Sequence, residues 1–106
     1  MSDTKWTSGP WRLDCGRIVS SSTTGFVIIA EMYGTTNNSQ VLADAHMIAA
    51  APKLYEALEI STDNIEALAI RLDKEPGNQI VVGAMMHRVQ VNRAVLARAR
   101  GDGEKT

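Results

Sequence analysis

Two periods of hydrophobicity divide this chain: single-residue alternation over the first third, and recurrence every three or four residues beyond it. Trp11, Leu13 and Cys15 alternate with Arg12 and Asp14, the two-residue period of a half-buried strand, which places Cys15 as a small buried hydrophobe. Gly16 offers a turn, and Arg17 to Ser21 supplies a second strand carrying Ile18 and Val19. The polar run from Ser20 to Gly25 separates it from the strongest strand, Phe26 to Met32. There Phe26, Ile28, Ala30 and Met32 face one way, and Val27, Ile29 and Glu31 the other. An apolar second face predicts a central position, or cover from the leader or a partner. Three short sequential strands with tight turns make an antiparallel meander.

The three-four period begins after the loop Tyr33 to Gln40, where Asn38 or Ser39 can cap a helix. Leu42, Ala45, Ile48 and Ala49 form a short apolar face that ends near Ala49-Ala50-Ala51-Pro52. Proline suits the first helical position, where its missing N–H is not needed, so Pro52 begins a second helix at a bend. Leu54, Leu58, Ile65, Leu68 and Leu72 lie on one side of that helix. It runs either unbroken to Lys74 or breaks at Ser61, Thr62 and Asp63; the preserved phase favours continuity. Pro76 and Gly77 stop it, and Asn78 can cap the next. From Ile80 to Ala99 the stripe Val82, Met85, Val89, Asn92, Leu96 and Ala99 is widened by Val81, Ala84, Val91 and Val95. Asn92 is polar at a core-like position, either fixing register or facing a partner. Gly101 ends the helix.

The expected fold is therefore α+β: a short three-stranded antiparallel sheet packed against an antiparallel helical hairpin, with an additional short helix. Residues 1–10 read as a flexible leader, 11–100 as a single domain and 101–106 as a frayed tail.

Composition narrows the function classes. The chain has 106 residues, 44% hydrophobic and 22% charged, with a formal net charge of -1. That is an ordinary globular balance, and it argues against a general nucleic-acid binder, which needs basic charge against phosphates. The single Cys15 allows neither an intramolecular disulfide nor a thiolate zinc cluster. No signal core or bilayer-length apolar run is present, so a soluble cytoplasmic protein without membrane partners is expected. His46 and His87 lack a metal-ligating residue three or four positions on. No nucleophile elbow surrounds Ser20 to Ser22, and no glycine-rich phosphate loop is visible. The expectation is a protein without cofactor, metal or catalytic residue.

Charge supplies the candidate binding residues. Residues 44–75 carry Asp44, Glu56, Glu59, Asp63, Glu66, Asp73 and Glu75 against Lys53, Arg71 and Lys74, whereas residues 76–100 carry Arg88, Arg93, Arg98 and Arg100 with no acid. An acidic helix packing antiparallel to a basic one is the simplest account. The alternative is that Glu59, Asp63, Glu66, Arg88, Arg93 and Arg98 present charge to a partner protein. Nucleic acid on the basic helix is less favoured because few aromatics are available to stack bases. Trp6 is the candidate interface anchor, or else packs on the sheet, and a homodimer would cover remaining apolar area.

The segment from Leu42 to Leu58, centred on Ala49-Ala50-Ala51-Pro52, resembles one found in small accessory proteins of tailed bacteriophages and prophages. Gly9, Pro10 and Trp11 are similar to the strand opening of those proteins, and Ala94 to Gly101 to their alanine-rich C-terminal helix. His46 and Met47 depart from the more usual residues there. The resemblance implies a phage product in the bacterial host cytoplasm that binds and inhibits or redirects a host protein complex, such as a CRISPR-Cas defence complex. Its alternatives are a homo-oligomeric phage structural or assembly protein and a nucleic-acid-binding accessory protein.

Overall fold

Strand β1 (Trp11–Asp14) opens the fold, followed by β2 (Arg17–Ser22), β3 (Gly25–Glu31) and helices α1 (Ser39–Ala49), α2 (Ala51–Leu72) and α3 (Gln79–Ala99). The computed structural model describes residues 6–22 and 25–102. The first five residues of the expected leader, Thr23 and Thr24 of the polar turn, and the last four residues of the expected tail lie outside the described residues. So do the side chains of Ser21, Ser22 and Phe26. By its contacts the chain divides into two compact units, Met1–Leu54 and Tyr55–Thr106. The α+β class is as expected.

In the first unit the strands form an antiparallel meander in the order β1-β2-β3. The central strand is therefore β2, and β3 is an edge, against the expectation of a central β3. The burial explains the difference: Ile18, Val19 and Ser20 of β2 are all buried, so both faces of β2 are covered. On β3, Val27 and Ile28 remain exposed. The register shifts between Ile18 and Val19, with Ile18 opposite Ala30 and Val19 opposite Ile28, leaving Ile29 as the extra residue of a bulge. That bulge breaks the strict alternation expected along β3. Cover comes from α1, which lies against β1 and β2. It does so through half-buried Val41, Leu42, Ile48 and Ala49 around fully buried Ala45.

Residues just before β1 supply further polar anchoring. The Ser20 hydroxyl donates to the Ser8 carbonyl, and Trp11 Nε1 donates to the Thr7 carbonyl at 3.0 Å. Gly9 abuts the start of α2 so closely that an added Cβ would sit 3.0 Å from Pro52 Cβ. Trp6 is half-buried.

The junction between α1 and α2 is one residue long. Asn38 caps α1, its Oδ1 accepting from the backbone N–H groups of Gln40 at 3.0 Å and Val41 at 3.2 Å. Ala50 closes α1 in the αR region. Its carbonyl accepts from Leu54 N–H at 3.0 Å, so the chain re-enters a helix at once. Pro52 stands second rather than first in α2, still among the positions whose N–H groups have no intrahelical partner. Helix α2 then runs unbroken through Ser61, Thr62 and Asp63, as the preserved phase predicts.

Two expectations about turns change. Cys15 is neither in a strand nor buried: it is exposed in the two-residue β1–β2 loop, with φ 53°, followed by Gly16 at φ 80°. Positive φ at both central residues is the I′ geometry that matches the twist of a hairpin. Gly16 also comes close to Met32, whose N–H donates to the Gly16 carbonyl at 2.7 Å. Asn78 stands at the N-cap position of α3 but makes no side-chain cap bond there. Its Nδ2 instead donates to the Leu72 carbonyl at 3.1 Å, satisfying the end of α2.

Asparagine tolerates the left-handed region better than cysteine, so Cys15→Asn is expected to stabilise the protein by about 0.5–1 kcal/mol. Urea unfolding checks this; an unchanged or lowered midpoint would contradict the turn assignment.

Candidate functional site: the helical hairpin

The second unit is built on a heptad pattern. In α2 the buried residues Tyr55, Thr62 and Ala69 recur every seven positions, alternating with half-buried Leu58, Ile65 and Leu72. In α3 buried Val89 and Leu96 continue the series begun by half-buried Val82, with Met85 and Asn92 between them. These are the a and d positions of two helices that share one seam. The helices pack as an antiparallel hairpin, tied across the seam by hydrogen bonds of Thr62 with Asn92 and of Tyr55 with Arg100.

At the middle of the seam sits a polar pair. Thr62 is fully buried; its Oγ1 donates to the Leu58 carbonyl at 2.7 Å and accepts from Asn92 Nδ2 at 3.1 Å. A half-buried asparagine bonded to a fully buried facing threonine disfavours a slip, which would break that bond. Asn92 thus takes the register-fixing role. The register it sets brings Leu58 level with Leu96, Ile65 with Val89 and Leu72 with Val82.

The same register sorts the charged residues onto two different flanks. On one flank, Arg93 Nη2 bonds Glu66 Oε1 at 2.7 Å and Asp63 Oδ1 at 3.2 Å. Desolvation is the largest single influence on Arg93 and works against its charge, but the hydrogen bonds and charges of the two carboxylates together outweigh it and raise its pKa above the ordinary arginine value. Being largely exposed, this cluster contributes only about 0.5–1 kcal/mol. At the same flank Arg100 donates to Asp102 at 2.9 Å and to the Tyr55 hydroxyl at 2.6 Å, and those bonds raise its pKa. An open depression of about 470 Å³ lies beside Glu66 and Arg93, bordered by Gly83, Met86, His87 and Gln90. Gly83 presents no side chain to it, and nothing lies within 4 Å of where a Cβ would stand.

The opposite flank has another character. From α2 it receives Ala57, Ser61, Asn64, Leu68 and Arg71, and from α3 Val81, Ala84, Arg88, Val91, Val95 and Arg98. All are exposed, with Leu68 at 48%, Val81 at 52% and Val95 at 49%. No carboxylate occupies these positions, and Arg71, Arg88 and Arg98 make no ion pair among the described residues.

The sequence-derived site residues therefore do not form one surface. Asp63, Glu66 and Arg93 come together as an ion-paired cluster with one acid in excess, whereas Arg88 and Arg98 lie on the acid-free flank with the valines. Glu59 shares the ion-paired side of α2 but makes no ion pair among the described residues. Leu54 and Leu68, expected in the core stripe, are exposed, and so are Val81, Ala84, Val91 and Val95. A single seam between two helices buries only its a and d positions; the wider apolar arc of each helix is left over. Among the described residues no group of three histidine, cysteine or acidic side chains is arranged to hold a metal ion, and no helix is long and apolar enough to cross a membrane.

A family model described as Salmonella phage P22 protein Y8K6 matches residues 1–103. The chain belongs to that phage protein family, which bears out the phage provenance expected from the Ala-Pro junction and from Gly9, Pro10 and Trp11. No curated protein and no solved structure matches the chain.

The polar pair in the seam yields a double-mutant test. Thr62→Val leaves the Asn92 amide without its partner and is expected to cost about 1–2 kcal/mol. Adding Asn92→Leu should recover most of that loss, because removing both partners removes the unsatisfied group. Urea unfolding of the four proteins measures the coupling; additive losses would show that the pair is not bonded in the seam.

Proposed function

We propose that this member of the phage family acts without catalysis, by binding a bacterial host protein through its helical hairpin and so inhibiting or redirecting the complex to which that protein belongs. The observation that carries the reading is the asymmetry of the two flanks: one is closed by its own ion pairs, and the other exposes valine, leucine and arginine with no acid. Exposed contiguous apolar surface of this kind is what interaction sites present. The phage family membership supports a target in the host cytoplasm, and a CRISPR-Cas defence complex is one assembly of the proposed class.

The reading narrows the site. Arg88 and Arg98, with Leu68, Val81, Val91 and Val95, form the binding surface, while Asp63, Glu66 and Arg93 pair with one another on the other flank. Self-association through the same flank is disfavoured, since it would set arginine against arginine with no carboxylate between them. Nucleic acid suits it less than protein, because the arginines are interleaved with aliphatic residues that phosphates do not need.

Affinity-tagged protein expressed in its bacterial host is expected to retain a host protein at a fixed stoichiometry. The double reversal Arg88→Glu with Arg98→Glu should abolish that retention while circular dichroism stays unchanged. Retention indifferent to both reversals would contradict the assignment of this surface.

A further inference from the structure

We infer that the acid-free flank receives an acidic amphipathic helix of the partner protein, laid along the groove between α2 and α3 to complete a three-helix bundle. This rests on the binding reading above and specifies what occupies the surface. Three features of the flank define the occupant: its side-chain sizes, its charge and its length.

Size comes first. Nearest the groove stand Ser61 and Leu68 of α2 and Val81, Arg88 and Val95 of α3, and the small residues Ala57 and Ala84 lie in the row behind. Small side chains beside an aliphatic stripe let a third backbone approach two packed helices, and the stripe gives its apolar face something to bury. A partner helix with apolar residues at three-four spacing fits this relief.

Charge selects among helices. Arg88 stands within the stripe, midway between Val81 and Val95, Arg71 and Arg98 lie in the row behind it, and the flank has no carboxylate to neutralise them. A helix carrying glutamate or aspartate beside its apolar face would pair with them; a basic helix would be repelled. A second copy of this chain would bring its own arginines to the same place. Arg71 on α2 and Arg98 on α3 lie on opposite sides of the stripe, which sets the partner's acids at both margins of its apolar face.

Length follows from helical rise. Val81 and Val95 mark the ends of the stripe on α3, roughly 21 Å apart, so the occupant is a helix of about four turns. Docking it would bury the leftover apolar arc of both helices and stabilise the hairpin by mass action.

The test uses the full-length protein and a fluorescent synthetic peptide of about four helical turns, with leucine at a and d and glutamate at the flanking positions. A lysine-for-glutamate isomer and a short DNA duplex serve as comparison probes. Fluorescence anisotropy should show saturable binding of the glutamate peptide only. Arg88→Glu and Val95→Asp should each weaken it by about tenfold or more, and Gln90→Glu on the opposite flank should leave it unchanged. The inference is overturned by no saturable binding of the glutamate peptide, by equal binding of the lysine peptide, by tighter binding of DNA, or by an equal loss in Gln90→Glu. Should the peptide fail while Arg88→Glu still removes host-protein retention, the helical occupant is wrong and the binding surface stands. If retention is also indifferent to Arg88→Glu, both readings fall.

Discussion

The hydrogen bond from Asn92 to Thr62 is the constraint on which the hairpin depends. Aliphatic residues on both sides of the seam would tolerate several registers at similar cost, since valine, leucine and isoleucine are nearly interchangeable as fillers. A buried threonine whose hydroxyl proton is already donated to its own helix can only accept across the seam, and Asn92 donates to it. Moving α3 by one heptad would set Met85 or Ala99 against buried Thr62 and break that bond. The pair contributes little net stability but selects one arrangement over its neighbours.

From that selection follows the division of charge. With Thr62 opposite Asn92, Arg93 comes within reach of Asp63 and Glu66, and Arg100 reaches Tyr55. Arg88 and Arg98 are carried to the other side, where no acid meets them. The acidic and basic helices therefore do pair, as a simple electrostatic account predicts, but only along one flank. Surface ion pairs of this exposure are too weak to set the register themselves; they follow the seam and mark one side of it as closed.

Much of this was legible in the sequence, and the misses share a cause. The α3 stripe from Val82 to Leu96 is the seam as expected, because Val82, Val89 and Leu96 are aliphatic at the right spacing, whereas Ala99 at its end is exposed. On α2 Leu58, Ile65 and Leu72 line the seam as expected, but its buried positions are Tyr55, Thr62 and Ala69, and Leu54 and Leu68 stay outside. Threonine and alanine carry little hydrophobic signal, so their heptad repeat is visible only once the partner helix is in place. Likewise β3 has the strongest strand pattern but sits at the edge, since apolar content does not reveal pairing order. Cys15 departs from its alternation because two positive φ angles serve the tight turn better than an added strand residue. The candidate charges were identifiable, but their separation into a paired and an unpaired flank depends on register, which no single helix encodes. The two segments that carry the phage resemblance in the first unit, around Gly9 and around Pro52, meet in space. Their shared residues supply a close contact and a helix start rather than chemistry.

Disulfide trapping tests the register most directly. In a Cys15→Ser background, the pair Leu58→Cys with Leu96→Cys should cross-link rapidly under mild oxidation, because these positions stand level across the seam. The pair Leu58→Cys with Val89→Cys, displaced by one heptad, should remain reduced under the same conditions. Equal or faster cross-linking of the displaced pair would contradict the register, and with it the flank on which Arg88 and Arg98 meet a partner.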